Sequence, residues 1–388
     1  MTKELFAAIE ASAPEMKKLW IQMANLETPS GDKATVDQLG ALLAEFARNA
    51  GFRAQVYPFP ASGNGLVITY DPGSQTQPIT LMAHMDTVHK KGAFGENPVT
   101  EEGEFLKGPG VYDCKGGISV ALLAMSALKT AGYREHPVKL VLSPDEEVNA
   151  IYSGESGKAY LRENIRGSLM ALNCESGSPQ GKIVTGRKGV LRMKVEVRGK
   201  AAHAGSDYAR GISAIKEAAH KIIHIEAESD PENITYNCGL ISGGTVANSV
   251  PESCCFTVDI RYNDKASMEK AEAHMRRIVE TDYIGGTQST IQVVSHRIPM
   301  EETKGNLALF AYMKGISAQY GLGELHSCIA GGGSDSCYSV AEGVPSLCAM
   351  GIEGHEQHTL RERAYTASLT KRAKLIAAAI VHAGAFAE

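Results

Sequence analysis

The sequence lacks a surplus of positive charge and any long apolar run. Its 388 residues include 39 Lys and Arg against 44 Asp and Glu, a formal net charge of −5, so no basic field is available to displace counterions from a nucleic acid. No apolar stretch approaches the roughly 20 residues that are needed to span a bilayer. We therefore expect neither a nucleic-acid partner nor a membrane partner.

The sequence also lacks a disulfide framework and a secretory signal. Its eight cysteines form no CxxC pair and no dense pattern, which indicates reduced, mostly buried thiols. The N-terminal stretch MTKELFAAIEASAPEMKKLWIQMANL alternates charged and apolar residues at helical spacing and contains no uninterrupted apolar core before a small-residue cleavage site. We expect a cytoplasmic protein.

What is present is the composition of an ordinary globular protein, with 43% hydrophobic and 21% charged residues. A chain of 388 residues exceeds what one hydrophobic core usually serves, so we expect two domains. Strand-like segments such as GLVITY, PITLMAHM, VKLVLSP and SLMALNC alternate with helical segments such as GGISVALLAMSALKTAG. This alternation predicts an α/β fold whose mixed, largely parallel sheet is flanked by helices.

Between residues 187 and 296 the pattern changes to a β-α-β-β-α-β order, which is typical of a small ferredoxin-like α+β domain. The alternating segment VLRMKVEVRG begins this region and STIQVVSH ends it, after which the helix–strand alternation resumes. We therefore predict a larger domain formed by residues 1–186 and 297–388, into which residues 187–296 are inserted as a second domain.

Imidazole and carboxylate side chains follow the apolar strands of the larger predicted domain, at the strand ends where functional groups collect in such sheets. The consecutive acids Asp145, Glu146 and Glu147 would raise one another's pKa unless a cation lies among them. Borderline cations such as zinc prefer imidazole and carboxylate ligands, so the pattern predicts a metal pair. The candidate residues are His84, Asp86, Asp113, Glu146, Glu147, Glu175 and His358.

Each candidate also has an ordinary structural interpretation. A histidine after a strand is often a surface residue, a run of acids is usually a solvated loop, and Asp113 could simply cap the helix that follows it. Asp86 could be a surface acid. Five ligand-type residues at five such positions are nevertheless improbable by independent chance, and together they favour the metal site.

The motifs HMDTV, GPGVYDCKGG, SPDEE, NCESG and GGGSD resemble those of the zinc-dependent metallopeptidases that include glutamate carboxypeptidase, acetylornithine deacetylase, aminoacylase, succinyl-diaminopimelate desuccinylase and peptidase T. The resemblance implies two Zn²⁺ per chain, with Co²⁺ able to substitute, and a cis peptide bond after the bridging residue Asp113. The implied ligands are His84, Asp113, Glu147, Glu175 and His358, the last preferred to His355.

The chemistry explains why these residue types are needed. Two divalent ions lower the pKa of a shared water and polarise the scissile carbonyl, and a bridging carboxylate offsets their mutual repulsion. A carboxylate that binds no metal must move the proton from the water to the leaving nitrogen, which is the role that the resemblance gives to Glu146. Asp86 is placed to hold the free N–H of His84.

The resemblance also assigns residues of the inserted domain. His203 in KAAHAGSD is implied to stabilise the oxyanion, often across a dimer interface, so we expect a homodimer formed through this domain, which also serves as a lid. Asn248 is an implied substrate contact. Arg261 and Arg297 are implied to hold substrate carboxylates, because a guanidinium binds a carboxylate through two parallel hydrogen bonds. Either arginine could instead form a surface ion pair.

The glycine-rich GGGSD segment should form a tight turn near the site, with Gly332 and Gly333 letting the backbone approach the substrate closely. It follows no Rossmann-like strand and lacks the GxGxxG spacing, which excludes a nucleotide-binding role.

These features predict a dinuclear zinc hydrolase that cleaves an amide bond next to a free carboxylate. It would be a carboxypeptidase of the glutamate carboxypeptidase type, or a hydrolase of N-acyl amino acids or small peptides. The alternatives are an aminopeptidase of the peptidase T type and an inactive metal-binding relative. Glu146, retained beside Glu147, argues against an inactive relative, because such a protein has no use for a carboxylate that binds no metal.

Overall fold

The computed structural model describes residues 1–387, which divide into two compact units. The larger unit contains Met1–Gly186, Glu302–Ile329 and the chain from Ser334 onward, and the smaller unit contains Arg187–Glu301 and Ala330–Gly333. The return to the larger unit lies after residue 301 rather than at residue 297. The reason is local, since the backbones of Arg187 and Met300 hydrogen-bond to each other and keep this stretch with the smaller unit.

The helices and strands are numbered here in chain order. The helices are α1 (Thr2–Asn25), α2 (Lys33–Asn49), α3 (Lys115–Thr130), α4 (Gly154–Ile165), α5 (Ala214–Glu226), α6 (Lys265–Glu280), α7 (Lys304–Tyr320), α8 (Ser336–Ala341), α9 (Ser368–Val381) and α10 (Gly384–Ala387). The strands are β1 (Arg53–Tyr57), β2 (Gly65–Tyr70), β3 (Ile79–His84), β4 (Thr100–Glu102), β5 (Phe105–Lys107), β6 (Val138–Ser143), β7 (Met170–Asn173), β8 (Lys182–Arg187), β9 (Gly189–Arg198), β10 (Ala202–His203), β11 (Thr235–Gly243), β12 (Ser249–Val250), β13 (Ser253–Tyr262), β14 (Gln288–Arg297), β15 (His326–Ala330), β16 (Ser346–Leu347), β17 (Gly354–His355) and β18 (Arg363–Tyr365).

The main sheet of the larger unit has the order β1-β2-β6-β3-β7-β16. Strands β6, β3, β7 and β16 run parallel, whereas β1 and β2 are antiparallel to their neighbours. Every residue of β3 is buried, as expected for a parallel strand covered on both faces. The predicted mixed, largely parallel sheet is therefore confirmed, although the segment VPSLCAMG contributes only the two residues of β16.

Helices α1, α3 and α9 pack together in the core of the larger unit. Helix α3 is buried on nearly all sides, because its sequence is apolar around the whole helix. Helix α2 is capped at its N-terminus by Asp32, whose side chain accepts a hydrogen bond from the Thr35 N–H. After its C-terminal residues the chain turns at Gly51, where φ is +73°. No helix among residues 1–387 is long and apolar enough to cross a bilayer.

The parallel strands bring the candidate site residues to one edge of the main sheet. In the register of β3 against β6, His84 is paired with Ser143, and in that of β3 against β7, Met82 is paired with Asn173. The acids that follow β6 and β7 therefore emerge next to the carboxyl end of β3.

The smaller unit is a four-stranded antiparallel sheet of order β11-β13-β9-β14, with α5 and α6 packed against it. Its sequence order, β9-α5-β11-β13-α6-β14, is the predicted β-α-β-β-α-β arrangement, which is confirmed. Strand β9 alternates as expected for a half-buried strand: Leu191, Met193 and Val195 lie in the core, whereas Arg192 and Glu196 are exposed.

Candidate metal centre

The Asp113 carboxylate faces a different histidine with each of its oxygens. Its Oδ1 lies 3.2 Å from His84 Nε2, and its Oδ2 lies 3.2 Å from His358 Nε2. Asp113 ends the loop that leads into α3, and the peptide bond between Asp113 and Cys114 is cis. A carboxylate turned in this way to two imidazoles could hold a metal ion together with either of them.

Each of the two histidines also meets a glutamate. Glu175 Oε1 lies 3.8 Å from His84 Nε2, and Glu147 Oε2 lies 3.1 Å from His358 Nε2. Asp113 thus lies next to two pairs of ligand-type side chains, His84 with Glu175 and His358 with Glu147. The structure brings together all five residues that the sequence resemblance implied as ligands.

The buried carboxylates strongly perturb the proton affinities in this cluster. Burial alone would raise the pKa of Asp113, yet its hydrogen bonds with His358 and His84 hold that pKa below its usual range. Burial and the charge of Asp113 raise the pKa of Glu147 to about 8. Hydrogen bonds with Asp113 and Glu147 raise the pKa of His358 to about 11. Positive charge is therefore favoured where these side chains meet.

Asp86 holds His84 and the glutamate turn in one orientation. Its Oδ1 and its backbone carbonyl lie 3.3 and 3.1 Å from His84 Nδ1, which leaves Nε2 directed at Asp113. The Asp86 carboxylate also accepts hydrogen bonds from the N–H groups of Glu146 and Glu147 and from the Ser30 hydroxyl. Asp86 is fully buried, so a surface role is excluded for it.

The three consecutive acids after β6 have different partners. Asp145 accepts hydrogen bonds from the N–H groups of Tyr152 and Ser153 and from the Ser153 hydroxyl, so it anchors the turn that follows. Glu146 and Glu147 lie in a single 3₁₀ turn. Glu147 reaches His358, whereas Glu146 offers an oxygen within 4.8 Å of ligand atoms of His84 and Glu175.

Two glycines allow the backbone to pack closely around Glu175. A Cβ added at Gly117, in the first turn of α3, would collide with the carbonyl oxygen of Cys174, and a Cβ at Gly351 would collide with the same atom. The glycine of the DCKGG motif is therefore needed for the start of α3 to reach the end of β7. His355, the competing histidine, lies 3.1 Å from the Tyr365 hydroxyl.

In the smaller unit, His203 and Asn248 lie side by side. Strand β10 pairs His203 with Ser249 of β12, and the Ala204 N–H donates to the Asn248 carbonyl. His203 Nδ1 accepts hydrogen bonds of 3.1 Å from the N–H groups of Gly205 and Ser206. A neutral His203 ring therefore carries its proton on Nε2, where it can be donated to a ligand.

Arg261 is engaged within its own strand. Its Nε and Nη2 donate to the two oxygens of Asp259 over 2.6 and 3.2 Å, and its Nη1 donates to the Gly331 carbonyl over 3.3 Å. The interpretation of Arg261 as an ion-paired residue, which the sequence left open, therefore describes this conformation. A substrate carboxylate would have to compete with Asp259 for the guanidinium.

Gly332 and Gly333 belong to the smaller unit and not to the larger one, where the predicted boundary at residue 297 placed them. The Gly332 carbonyl accepts a hydrogen bond of 3.1 Å from Arg187 Nη1. A Cβ added at Gly333 would lie 2.7 Å from Cδ of the buried Arg297, so only glycine fits against that side chain. The glycine turn and the predicted arginines thus occupy one region of the smaller unit.

Comparison with known proteins finds similarities in sequence and in fold. The model of the M20 peptidase dimerisation domain matches residues 185–287. Carboxypeptidase G2 from Pseudomonas sp. strain RS-16 is 26% identical over 389 aligned positions, which cover 97% of this chain and 91% of the relative. Acetylornithine deacetylase from Proteus mirabilis is 27% identical over 64% of this chain and 67% of the relative. The crystal structure of aminopeptidase PepT from Bacillus cereus has the same fold, with a TM-score of 0.79, 21% identity, and coverage of 96% of this chain and 99% of that one.

These matches support assignment of the chain to the M20 peptidase family. It is therefore a hydrolase of the metallopeptidase and amidohydrolase class. The donor set around Asp113 fits the metal dependence of M20 peptidases, because imidazole and carboxylate are the ligands that divalent transition cations prefer.

Three further residues were not identified from the sequence. Glu362 is buried and accepts hydrogen bonds from the backbone N–H groups of Tyr112 and Asp113. Lys115 is fully buried, and among residues 1–387 its Nζ has no hydrogen-bond partner; burial lowers its pKa to about 8. Arg187 holds the glycine turn. Lys115 could have been found from the DCKGG motif, but no local pattern indicates the long-range partners of Glu362.

Proposed function

We propose that this protein is a dinuclear zinc hydrolase that cleaves an amide bond next to a free carboxylate in small peptides or N-acyl amino acids. The proposal depends mainly on one observation: each of the two oxygens of Asp113 lies 3.2 Å from a different histidine, Oδ1 from His84 and Oδ2 from His358. A single tetrahedral zinc site needs four ligands at most, whereas five ligand-type residues converge here, one of them with two separate faces.

The roles proposed for the chain's own residues follow from the geometry. A bound metal pair supplies Lewis acidity that polarises the scissile carbonyl and acidifies a water. Glu146 accepts the proton of the attacking water and delivers it to the leaving nitrogen. Asp86 keeps His84 in the tautomer that presents Nε2, and the N–H at Nε2 of His203 donates to the oxygen on which negative charge develops.

Two observations bear on which end of the substrate is recognised. The likeness to carboxypeptidase G2 over almost the whole chain, together with Arg261 and Arg297 beside the glycine turn, supports recognition of a substrate carboxylate. The pairing of Arg261 with Asp259 and the PepT-like fold support the second candidate, an aminopeptidase. A panel of peptides blocked at one terminus separates them, since a carboxypeptidase cleaves N-acetylated peptides and an aminopeptidase cleaves C-terminal amides.

We further propose a homodimer formed through the smaller unit. The dimerisation-domain match spans most of that unit. Among residues 1–387, strand β11 is an edge strand that pairs only with β13 in its sheet, and it exposes Leu240 by 70% and Ile241 by 56%. An exposed edge with apolar side chains is a ready surface for a second copy of the chain, which would continue the sheet.

Metal removal tests the proposed activity most directly. Metal analysis of the purified protein should find up to two divalent ions per chain. Exhaustive chelation should abolish hydrolysis of N-acyl amino acids and dipeptides, and addition of Zn²⁺ or Co²⁺ should restore it. An unrelated protein standard that binds no metal, treated in the same buffer, measures the background of non-specifically bound metal. Full activity in metal-free protein would contradict the proposal.

A further inference from the structure

We propose that Glu362 is a positioning residue that sets the orientation of Asp113 and thereby the affinity of the metal centre, an inference that rests on the proposed function. Glu362 is 1% exposed. Its Oε1 accepts hydrogen bonds from two consecutive backbone N–H groups, those of Tyr112 over 2.9 Å and Asp113 over 3.0 Å. Its Oε2 lies 2.8 Å from His89 Nε2.

Through these contacts Glu362 connects three segments that carry candidate ligands. His89 follows the segment that carries His84 and Asp86. Tyr112 and Asp113 belong to the loop before α3. Glu362 itself stands four positions after His358, and the backbone N–H of Glu362 donates to the Thr359 carbonyl in the turn between them. One carboxylate thus ties together the His84, Asp113 and His358 segments.

Glu362 is itself held firmly in place. Its carbonyl accepts a hydrogen bond from the Gly108 N–H, and the next three residues form β18, which pairs with β5. Strand β5 lies just before the Asp113 loop in the sequence. The side chain therefore reaches back from a fixed strand to the loop, and it has little freedom to follow if the loop moves.

The physical reason for the proposed role is that the backbone at Asp113 determines where its two oxygens lie. Asp113 must present Oδ1 to His84 and Oδ2 to His358 at the same time. If the Asp113 N–H lost its acceptor, a buried donor would be left unsatisfied and the loop would shift to find another partner. Residues that orient a ligand in this way typically contribute about 10- to 100-fold to metal affinity.

Two conservative substitutions distinguish a positioning role of Glu362 from an effect of its negative charge. Glu362→Gln keeps the length of the side chain and an oxygen for both N–H groups, but it removes the negative charge. Glu362→Asp keeps the charge, but it is one methylene too short to reach both the loop and His89. If Glu362 acts by position, the aspartate variant is the more damaging of the two. If it acts by charge near the cations, the glutamine variant is.

Glu217 in the smaller unit provides a matched control. It is fully buried and likewise accepts hydrogen bonds from two consecutive backbone N–H groups, those of Tyr283 and Ile284. It also has one side-chain partner, Lys221, at 2.8 Å. The five candidate metal ligands belong to the larger unit, and neither possible metal-binding group among residues 1–387 includes Glu217. Glu217→Asp therefore makes the same chemical change in an equivalent environment, and it should lower stability without affecting metal binding.

The experiment measures Zn²⁺ dissociation constants by competition with a chelator, together with metal content per chain and the melting temperature of the metal-free protein. We expect Glu362→Asp to weaken Zn²⁺ binding by about 10- to 100-fold, and Glu362→Gln to stay within about threefold of the wild type. Glu217→Asp should bind Zn²⁺ like the wild type. If Glu362→Asp does not fold, His89→Phe removes the second anchor of Glu362 while keeping a ring beside Phe94, and it should weaken binding severalfold.

Three results would overturn the inference: unchanged Zn²⁺ affinity in the aspartate variant (or in His89→Phe, if that variant replaces it), a larger loss in Glu362→Gln than in Glu362→Asp, or an equal loss in Glu217→Asp. The failure of the proposed function looks different. In that case the wild-type protein itself binds no more metal than the protein standard does, whereas failure of the inference leaves wild-type metal binding intact and concerns only the order of the variants.

Discussion

The two units of the protein bury charge in opposite ways. In the smaller unit, Glu217 and Lys221 form a fully buried pair, and both are satisfied further by backbone groups. Lys221 donates to three carbonyls at the C-terminal end of α6, and Glu217 accepts from two N–H groups. In the larger unit, the buried acids around Asp113 outnumber the cationic groups beside them. These acids are Asp86, Asp113, Glu146, Glu147, Glu175 and Glu362.

This difference distinguishes a structural ion pair from a ligand site. A buried charge is tolerated when an opposite charge and hydrogen bonds offset its desolvation, which is the situation of Glu217. The Asp113 cluster does not reach this balance with protein groups alone, and the outcome is seen in the raised pKa values of Glu147 and His358. Perturbed proton affinities in an excess of carboxylates make the Asp113 cluster of the larger unit the candidate cation site.

The largest expected effect concerns Glu146 and Glu147, two adjacent members of the acidic cluster around Asp113. Glu146→Gln should lower kcat by at least about 100-fold while metal content stays near that of the wild type, because it removes a proton carrier rather than a ligand. Glu147→Gln should instead lose metal, since Glu147 faces His358. Steady-state kinetics and metal analysis of both variants distinguish the proton carrier from the metal ligand. Reversed phenotypes would mean that Glu146 and Glu147 have exchanged these roles.

The second prediction concerns the pH dependence of metal binding, which shows whether a cation offsets the excess negative charge around Asp113. The pKa of His358, raised to about 11 by Asp113 and Glu147, means that its ring carries a proton at neutral pH when no cation is bound. A metal ion must displace this proton, so binding releases it and becomes stronger as pH rises. Below the pKa of His358, the apparent Zn²⁺ affinity should rise by about tenfold per pH unit for each proton released.

Calorimetric titration in two buffers of different ionisation enthalpy measures the proton release directly. Repeating the titration with Glu217→Gln checks the comparison, because the balanced pair of the smaller unit should not contribute to the released protons. If the wild-type protein binds Zn²⁺ without releasing a proton at pH 7, the cluster does not hold the charge state inferred for it.

Particular residues show why the sequence predicted some of the site and missed the rest. His84 and Glu175 could be predicted because each follows an apolar strand, and neighbouring parallel strands bring such residues together whatever the details of packing. The pairing of Arg261 with Asp259 had a local signal, since residues two apart on a strand lie on the same face. Glu362 had none, because its partners are far away in sequence and no periodicity connects a turn residue with a loop that precedes α3.

The placement of Gly332 and Gly333 shows a further limit of sequence reasoning. Their sequence position follows the resumption of the helix–strand alternation, which assigned them to the larger domain, whereas hydrogen bonds from Arg187 and Arg261 join the turn to the smaller unit. Assignment of a loop to a domain depends on such long-range side-chain contacts. The order of elements along the chain does not encode them.

The smallest expected effect is the partial recovery of activity when two inactive variants are mixed. This experiment asks whether the smaller unit contributes a catalytic group. If the protein is a homodimer in which His203 serves the active site of the partner subunit, two inactive variants should complement each other. His203→Ala and Glu146→Gln homodimers are each expected to be inactive. After subunit exchange, every mixed dimer contains one site with both groups intact, so its activity should return to about half that of the wild type.

Exchange is verified by native mass spectrometry of differently labelled subunits, and the two homodimers carried through the same procedure serve as controls. The activity recovered in the mixed dimer would come only from bringing an intact His203 and an intact Glu146 together in one site, because neither variant adds a group that the wild type lacks. The N–H at Nε2 of His203 is available for this role because two backbone N–H groups already occupy Nδ1. An exchanged mixture that remains inactive would show that His203 acts within its own chain or not at all, and the smaller unit would then serve assembly without contributing to catalysis.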